Sequence, residues 1–182
     1  VRDRLGSEIE KVKSLTSGAA AAGVRVHLQP ERPRDIEDDG AFHYNLGLAY
    51  RDWRDLGRAA ECLRRAFELR PESYGSAHDL GLTLLDLNQD AASLAPLEKA
   101  RQLRPDLLEA HCDLGVAYQR LKRHPEAIAC FRRAVELDPK HGGAQANLGT
   151  TLREVWELEA AAVCFRRAVA LLPDDKLSHM AR

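Results

Sequence analysis

A chain of 182 residues with 45% hydrophobic content carries enough apolar material for one domain or one short repeat array, which argues against disorder throughout. Its 27 lysines and arginines nearly cancel its 28 aspartates and glutamates, so no bulk positive charge points to the phosphate contacts of nucleic-acid binding. Aromatic residues are few, and alanine, leucine, arginine and glutamate are abundant. Straight side chains lose little freedom in a helix, so this mixture predicts an all-α protein.

The chain opens with Val1-Arg2-Asp3-Arg4 and has no unbroken apolar stretch of the kind a signal peptide or membrane span requires. The expectation is a cytoplasmic protein without membrane insertion. Valine at position 1 fits either a non-standard start codon or a fragment of a larger protein. Leu5, Ile9, Val12 and Thr16 recur at helical spacing and predict a short amphipathic helix. That segment has three readings, a helix that caps the domain C-terminal to it, a segment that docks in a partner or in a neighbouring copy, or disorder. Gln29-Pro30-Glu31-Arg32-Pro33-Arg34 and Glu37-Asp38-Asp39-Gly40 are polar and proline-broken, which predicts a linker completing a segment 1–39.

From residue 40 onward the chain repeats itself. A shift of 34 residues superimposes Leu46-Gly47 on Leu80-Gly81, Leu114-Gly115 and Leu148-Gly149 without a gap, then Ala66 on Ala100, Ala134 and Ala168, then Pro71 on Pro105, Pro139 and Pro173. Glycine in mid-helix costs about 1 kcal/mol relative to alanine, so four of them in one column imply a backbone that a neighbouring helix approaches closely. Ala127, Phe131 and Ala134 follow the spacing of a buried stripe, whereas Ser93 with Leu97 is a weaker copy of the pattern. Proline cannot continue a helix and drives the residue before it out of helical geometry, so the proline column closes each unit.

This pattern resembles the tetratricopeptide repeat family, whose 34-residue period carries leucine-glycine, tyrosine, alanine, phenylalanine and proline columns. Tyr50 and Tyr118 fill the tyrosine column and Leu84 and Leu152 replace it. The usual tryptophan is His43, Ala77, His111 and Gln145. The resemblance implies a right-handed α-solenoid of four helix-turn-helix repeats, at 40–73, 74–107, 108–141 and 142–173, followed by a stub of a capping helix at 174–182. Within the array Pro96 falls where a second helix should already run, predicting a helix that starts near Ser93 or kinks, and the least regular of the eight. Cys62, Cys130 and Cys164 share a column, but helices stack about 10 Å apart, too far for a disulfide. Together with Cys112 they are read as reduced thiols. Arg64-Arg65, Arg132-Arg133 and Arg166-Arg167 are read as a solvated outer face.

In this family the first helices line a concave groove. The column before each leucine-glycine pair is Asn45, Asp79, Asp113 and Asn147, a ladder of amides and carboxylates able to accept hydrogen bonds from an extended peptide, with two central charges favouring lysine or arginine on the ligand. Beside it run Leu48, Leu82, Val116 and Thr150, and Tyr44, His78 and Cys112. Some relatives clamp the carboxylate terminus of chaperones with basic residues at these columns. Tyr44, Leu48, Asp79, Glu109 and Asp113 stand here instead, so that role is rejected. Seven scattered histidines and the absence of GxSxG, HExxH or a phosphate loop predict no enzymatic activity, no metal and no cofactor. The reading is a protein-protein interaction scaffold or adaptor that holds an extended basic or mixed apolar-basic peptide, with no small-molecule substrate and no nucleic acid. Two alternatives stay open: a substrate-recruiting module of a larger enzyme such as a glycosyltransferase, and self-assembly to a homo-oligomer through residues 1–39.

Overall fold

A computed structural model of the protein describes residues 39–171; the expected N-terminal helix, most of the linker and the stub at 174–182 lie outside the described residues. Among the described residues there are eight helices and no strand. In chain order they are α1 (Gly40–Asp52), α2 (Leu56–Leu69), α3 (Tyr74–Asp86), α4 (Asp90–Leu103), α5 (Leu108–Arg120), α6 (His124–Leu137), α7 (Gly142–Glu154) and α8 (Leu158–Ala170). They pack as four pairs, α1 with α2 through α7 with α8, and the second helix of each pair also rests on the first helix of the next. Such nearest-neighbour packing is the all-helical repeat fold that the 34-residue period predicts.

The turn inside each pair has one construction. The backbone N–H of Asp55 donates to Tyr50 O at 2.9 Å, Gln89 to Leu84 at 2.8 Å, Arg123 to Tyr118 at 2.9 Å and Glu157 to Leu152 at 3.0 Å. The residue before each donor is left-handed, at φ 61° for Arg54, 57° for Asn88, 60° for Lys122 and 65° for Trp156. These are Schellman closures, and only Asn88 is a residue type that enters the left-handed region readily. Between pairs the proline column acts as expected. Arg70, Arg104 and Asp138, each just before a proline, take φ of −136°, −135° and −139° with positive ψ and end their helices.

The glycine column is where the two helices of a pair meet. A Cβ added at Gly47 would lie 2.7 Å from Leu63 Cγ, at Gly81 2.5 Å from Leu97 Cδ2, at Gly115 2.6 Å from Phe131 Cε1 and at Gly149 3.0 Å from Phe165 Cε1. Around these approaches two apolar clusters form. The larger holds Leu114, Phe131, Leu148 and Leu152, and the smaller Ala60, Leu63, Leu80 and Leu84.

Of the two expectations for Pro96, the helix start near Ser93 is not met. Helix α4 starts at Asp90 rather than near Ser93 and runs through the proline to Leu103. Proline inside a helix costs about 3 kcal/mol, because the Ala92 carbonyl loses its backbone donor and the ring crowds it. Burial of the Pro96 ring on the core side, next to Leu97, offsets that loss, and the Ser93 hydroxyl donates to Asp90 O at 2.7 Å.

Among the described residues, three of the six buried polar side chains, Thr83, Ser93 and Thr151, are satisfied inside their own helix. The Thr83 and Thr151 hydroxyls donate to Asp79 O and Asn147 O at 2.7 and 2.9 Å. Gln145, in the column of the missing tryptophan, is 1% exposed and its Oε1 has no partner. A buried acceptor left without a donor costs about 1 kcal/mol or more. Gln145→Met, similar in length and volume, is therefore expected to raise unfolding stability by about 1 kcal/mol. Denaturant titration checks this, and a loss of stability would show that the amide serves the fold.

Candidate functional site

The groove columns expected from the sequence all lie on the first helices, α1, α3, α5 and α7. Asn45 is exposed, while Tyr44, Leu48, His78, Asp79, Leu82, Cys112, Asp113, Val116, Asn147 and Thr150 are half-buried. Their partial burial has a specific cause, because the two polar columns interlock across successive pairs. Tyr44 Oη on α1 donates to Asp79 Oδ2 on α3 at 2.7 Å, and His78 Nε2 on α3 meets Asp113 Oδ2 on α5 at 2.7 Å. Each partner lies one repeat plus one residue further along, a separation of 35 in both cases. The third step of this ladder would join Cys112 to Asn147. No bond joins them, and the Asn147 side chain takes no hydrogen bond among the described residues.

Two residues that sequence reasoning missed complete the ladder. Arg51 Nη1 on α1 donates to Asp79 Oδ1 at 2.8 Å, so that carboxylate is claimed at both oxygens. The Tyr74 ring stacks on His78 with centroids 5.1 Å apart and planes inclined by 15°. The signal for the first two rungs was present as a donor followed, 35 residues on, by a carboxylate. Arg51 had no such signal, since it sits in a column otherwise occupied by Leu85, Gln119 and Arg153.

The interlock sets the electrostatics of this face. Tyr44 is pushed up to about 12 by burial first and then by its bond to Asp79. Tyr74 is raised by burial and by the charges of Asp113 and Glu109. Burial pushes the Cys112 thiol up to about 11, reinforced by Asp113 and Glu109, and burial does the same for Cys130. Both thiols stay protonated at neutral pH and are poor nucleophiles. Among the described residues Cys62, Cys112, Cys130 and Cys164 form no disulfide.

What this face offers a partner is therefore narrower than four ladder residues. Asp79 already faces a guanidinium, and Thr150 donates its hydroxyl to Ala146 O at 2.9 Å. The amides of Asn45 and Asn147 remain, with the apolar strip of Leu48, Leu82 and Val116 between them. Near the middle, Asp113 keeps its second carboxylate oxygen, and exposed Glu109 adds a negative charge beside it. On the opposite face, Arg64, Arg65, Arg132, Arg133, Arg166 and Arg167 are exposed, with Arg65 and Arg133 paired to Glu68 and Glu136. Among the described residues, no group of histidine, cysteine and acidic side chains could hold a metal ion, and no helix is long and apolar enough to cross a membrane.

Two profiles of the tetratricopeptide repeat match the chain, one over residues 41–73 and one over residues 108–141. No curated protein matches it. Among solved structures it is similar to a MamA fragment from Desulfovibrio magneticus RS-1, at 26% identity over 76% of this chain and 78% of that one, with a TM-score of 0.72. It is similar also to MamA AMB-1, at 28% identity over 74% of this chain and 79% of that one, with a TM-score of 0.70. A further MamA crystal structure, at 20% identity, 78% and 82% coverage and a TM-score of 0.71, shares the fold.

Proposed function

Because the chain belongs to the tetratricopeptide repeat family and is a protein-interaction scaffold, we propose that it holds an extended peptide segment of another protein along the face of α1, α3, α5 and α7. The observation that carries this reading is the unequal ladder. Its first two rungs are closed between helices, and its third is open at Asn147. A side-chain amide that is half-buried on a groove and takes no bond among the described residues can both donate to and accept from a peptide backbone. Leu48, Leu82 and Val116 then receive apolar side chains of the ligand. Asp113 and Glu109 attract a lysine or arginine near its centre, while Asp79 adds little because Arg51 balances it. The ligand class is therefore a mixed apolar-basic peptide, and the activity is binding without catalysis.

Fluorescence anisotropy with three labelled peptide pools tests this: apolar-basic, apolar-neutral and apolar-acidic. The apolar-basic pool should bind most tightly, and Asn147→Ala should weaken it about tenfold, the loss of one net hydrogen bond of about 1.4 kcal/mol. Arg132→Ala on the opposite face should leave it unchanged. Preference for the acidic pool, or indifference to Asn147→Ala, would sink the assignment of this face.

A further inference from the structure

The two closed rungs of the ladder differ in the chemistry of their donor. Tyr44 closes the first on Asp79 and is pushed up to about 12, so it stays neutral at physiological pH. His78 closes the second on Asp113, Nε2 to Oδ2 at 2.7 Å, with side-chain exposures of 17% and 27%. An ionised carboxylate only accepts, so Nε2 carries the proton of this bond and Nδ1 is where a second proton adds. Nδ1 takes no hydrogen bond among the described residues. The groups around the rung come from several elements. On α3 itself the Tyr74 ring stacks on His78, and Asp79 follows it in the chain, balanced by Arg51 of α1. From α5 come Asp113, Glu109 and Cys112, and from the end of α4 Arg104, whose charge acts on Tyr74. Otherwise α2 and α4 meet α3 through apolar atoms, Leu63 in one cluster with Leu80, and Leu97 against Gly81. Tyr74 is raised and Cys112 is pushed up to about 11, so both stay neutral. Carboxylates ordinarily ionise near about pH 4 and guanidinium groups keep their proton, whereas histidine is the side chain type whose charge changes between about pH 5 and 8.

Resting on the peptide reading above, we propose that the His78 imidazole is a pH-sensitive switch on the groove, set to hold a basic segment at neutral pH and to release it on acidification. While His78 is neutral, Asp113 keeps its full charge and a second oxygen for a lysine or arginine of the ligand, with Glu109 beside it. Protonated His78 becomes an ion-pair partner of Asp113, as Arg51 is of Asp79, and the centre of the face loses one unit of negative charge. The first carboxylate of the ladder is thus balanced at every pH in this range, and the second only in acid. Nε2 donates in both states, so the rung between α3 and α5 stays closed while the grip on the ligand weakens.

The test uses the full chain, histidine-free apolar-basic and apolar-neutral peptide pools, and anisotropy at low salt at about pH 7.5 and about pH 5.5. The basic pool should bind about fivefold more weakly at the lower pH, the size expected for one added charge near the ligand in a half-exposed setting, while the neutral pool binds alike at both. His78→Gln keeps an N–H for Asp113 but takes up no proton, so its two affinities for the basic pool should match each other, whatever their absolute value. Circular dichroism at both pH values checks that each chain is folded. A second readout needs no variant. Binding and protonation are linked, so the His78 ring resonances of the unaltered chain should titrate at lower pH when the chain is saturated with a peptide of the basic pool than when it is free. Equal affinity of the unaltered chain for the basic pool at the two pH values overturns the switch and leaves the peptide reading in place. An unshifted ring titration, or a pH dependence that survives His78→Gln, does the same. No binding of the basic pool at about pH 7.5 overturns the peptide reading itself, and the switch with it.

Discussion

Gly115→Ala is expected to destabilise the array by about 2 kcal/mol, although alanine is the better helix former by about 1 kcal/mol. The opposing contribution is steric. The new methyl would sit 2.6 Å from Phe131 Cε1 and 2.9 Å from Cδ1 and Cζ, against a ring with no solvent exposure. A rigid ring enclosed on all sides cannot swing aside, so α5 and α6 must separate and the surrounding core must loosen. Overpacking of that kind costs about 1–3 kcal/mol or more, and it outweighs the propensity gain. The same column supplies its own comparisons. At Gly81 the clash is with Leu97 at 2.5 Å, again fully buried, and the loss should be comparable. At Gly149 the nearest atom is Phe165 Cε1 at 3.0 Å, on a half-buried ring of the terminal pair that can yield, so Gly149→Ala should be close to neutral. Gly57, exposed in the first turn of α2 with only Asp55 Oδ1 at 3.8 Å, should gain about 0.5 kcal/mol as alanine. Denaturant titration of the four variants checks the order. Equal losses at Gly115 and Gly149 would show that close approach is not what keeps glycine in this column.

These contacts explain why the architecture is legible in the sequence and why the face is less so. Leucine-glycine, alanine and proline columns report packing that each repeat must satisfy alone, so a period of 34 suffices to place them. Tyr44 with Asp79 and His78 with Asp113 answer to the offset between stacked pairs, which adds one residue to the period and mixes two columns. Reading each column separately makes Asp79 a free acceptor for a ligand, whereas the structure holds it between Tyr44 and Arg51. The start expected near Ser93 is misplaced for a related reason. Local propensity starts the helix only shortly before that proline, but a proline ring facing the core is compensated by burial that only the neighbouring helices provide.

Asp79→Ala bears directly on that ladder and is expected to cost about 2 kcal/mol, concentrated at the joint between the first two pairs. The carboxylate joins α1 to α3 through both oxygens, and its side chain is 17% exposed against 26% for Arg51. Removing it leaves a guanidinium and a phenol half-buried without their acceptor. A hydrogen bond to a charged group contributes about 1.5–3 kcal/mol, and the partial exposure of Arg51 places the pair toward the lower end. Since stability in a repeat array is carried by neighbouring interfaces, amide hydrogen exchange should quicken in α1 and α2 and stay unchanged in α5 to α8. Tyr44 gives an independent readout. Its folded pKa of about 12 lies above the ordinary 10, so the folded state holds the phenolic proton more tightly. That contribution is fully present below pH 10 and is lost as pH rises towards 12. In Asp79→Ala the bond and the carboxylate charge are gone and only burial raises the group, so tyrosinate absorbance should develop at lower pH in the still-folded chain. Quickened exchange spread evenly over all eight helices, or an unshifted Tyr44 titration, would mean that the ladder does not hold the first pair to the second.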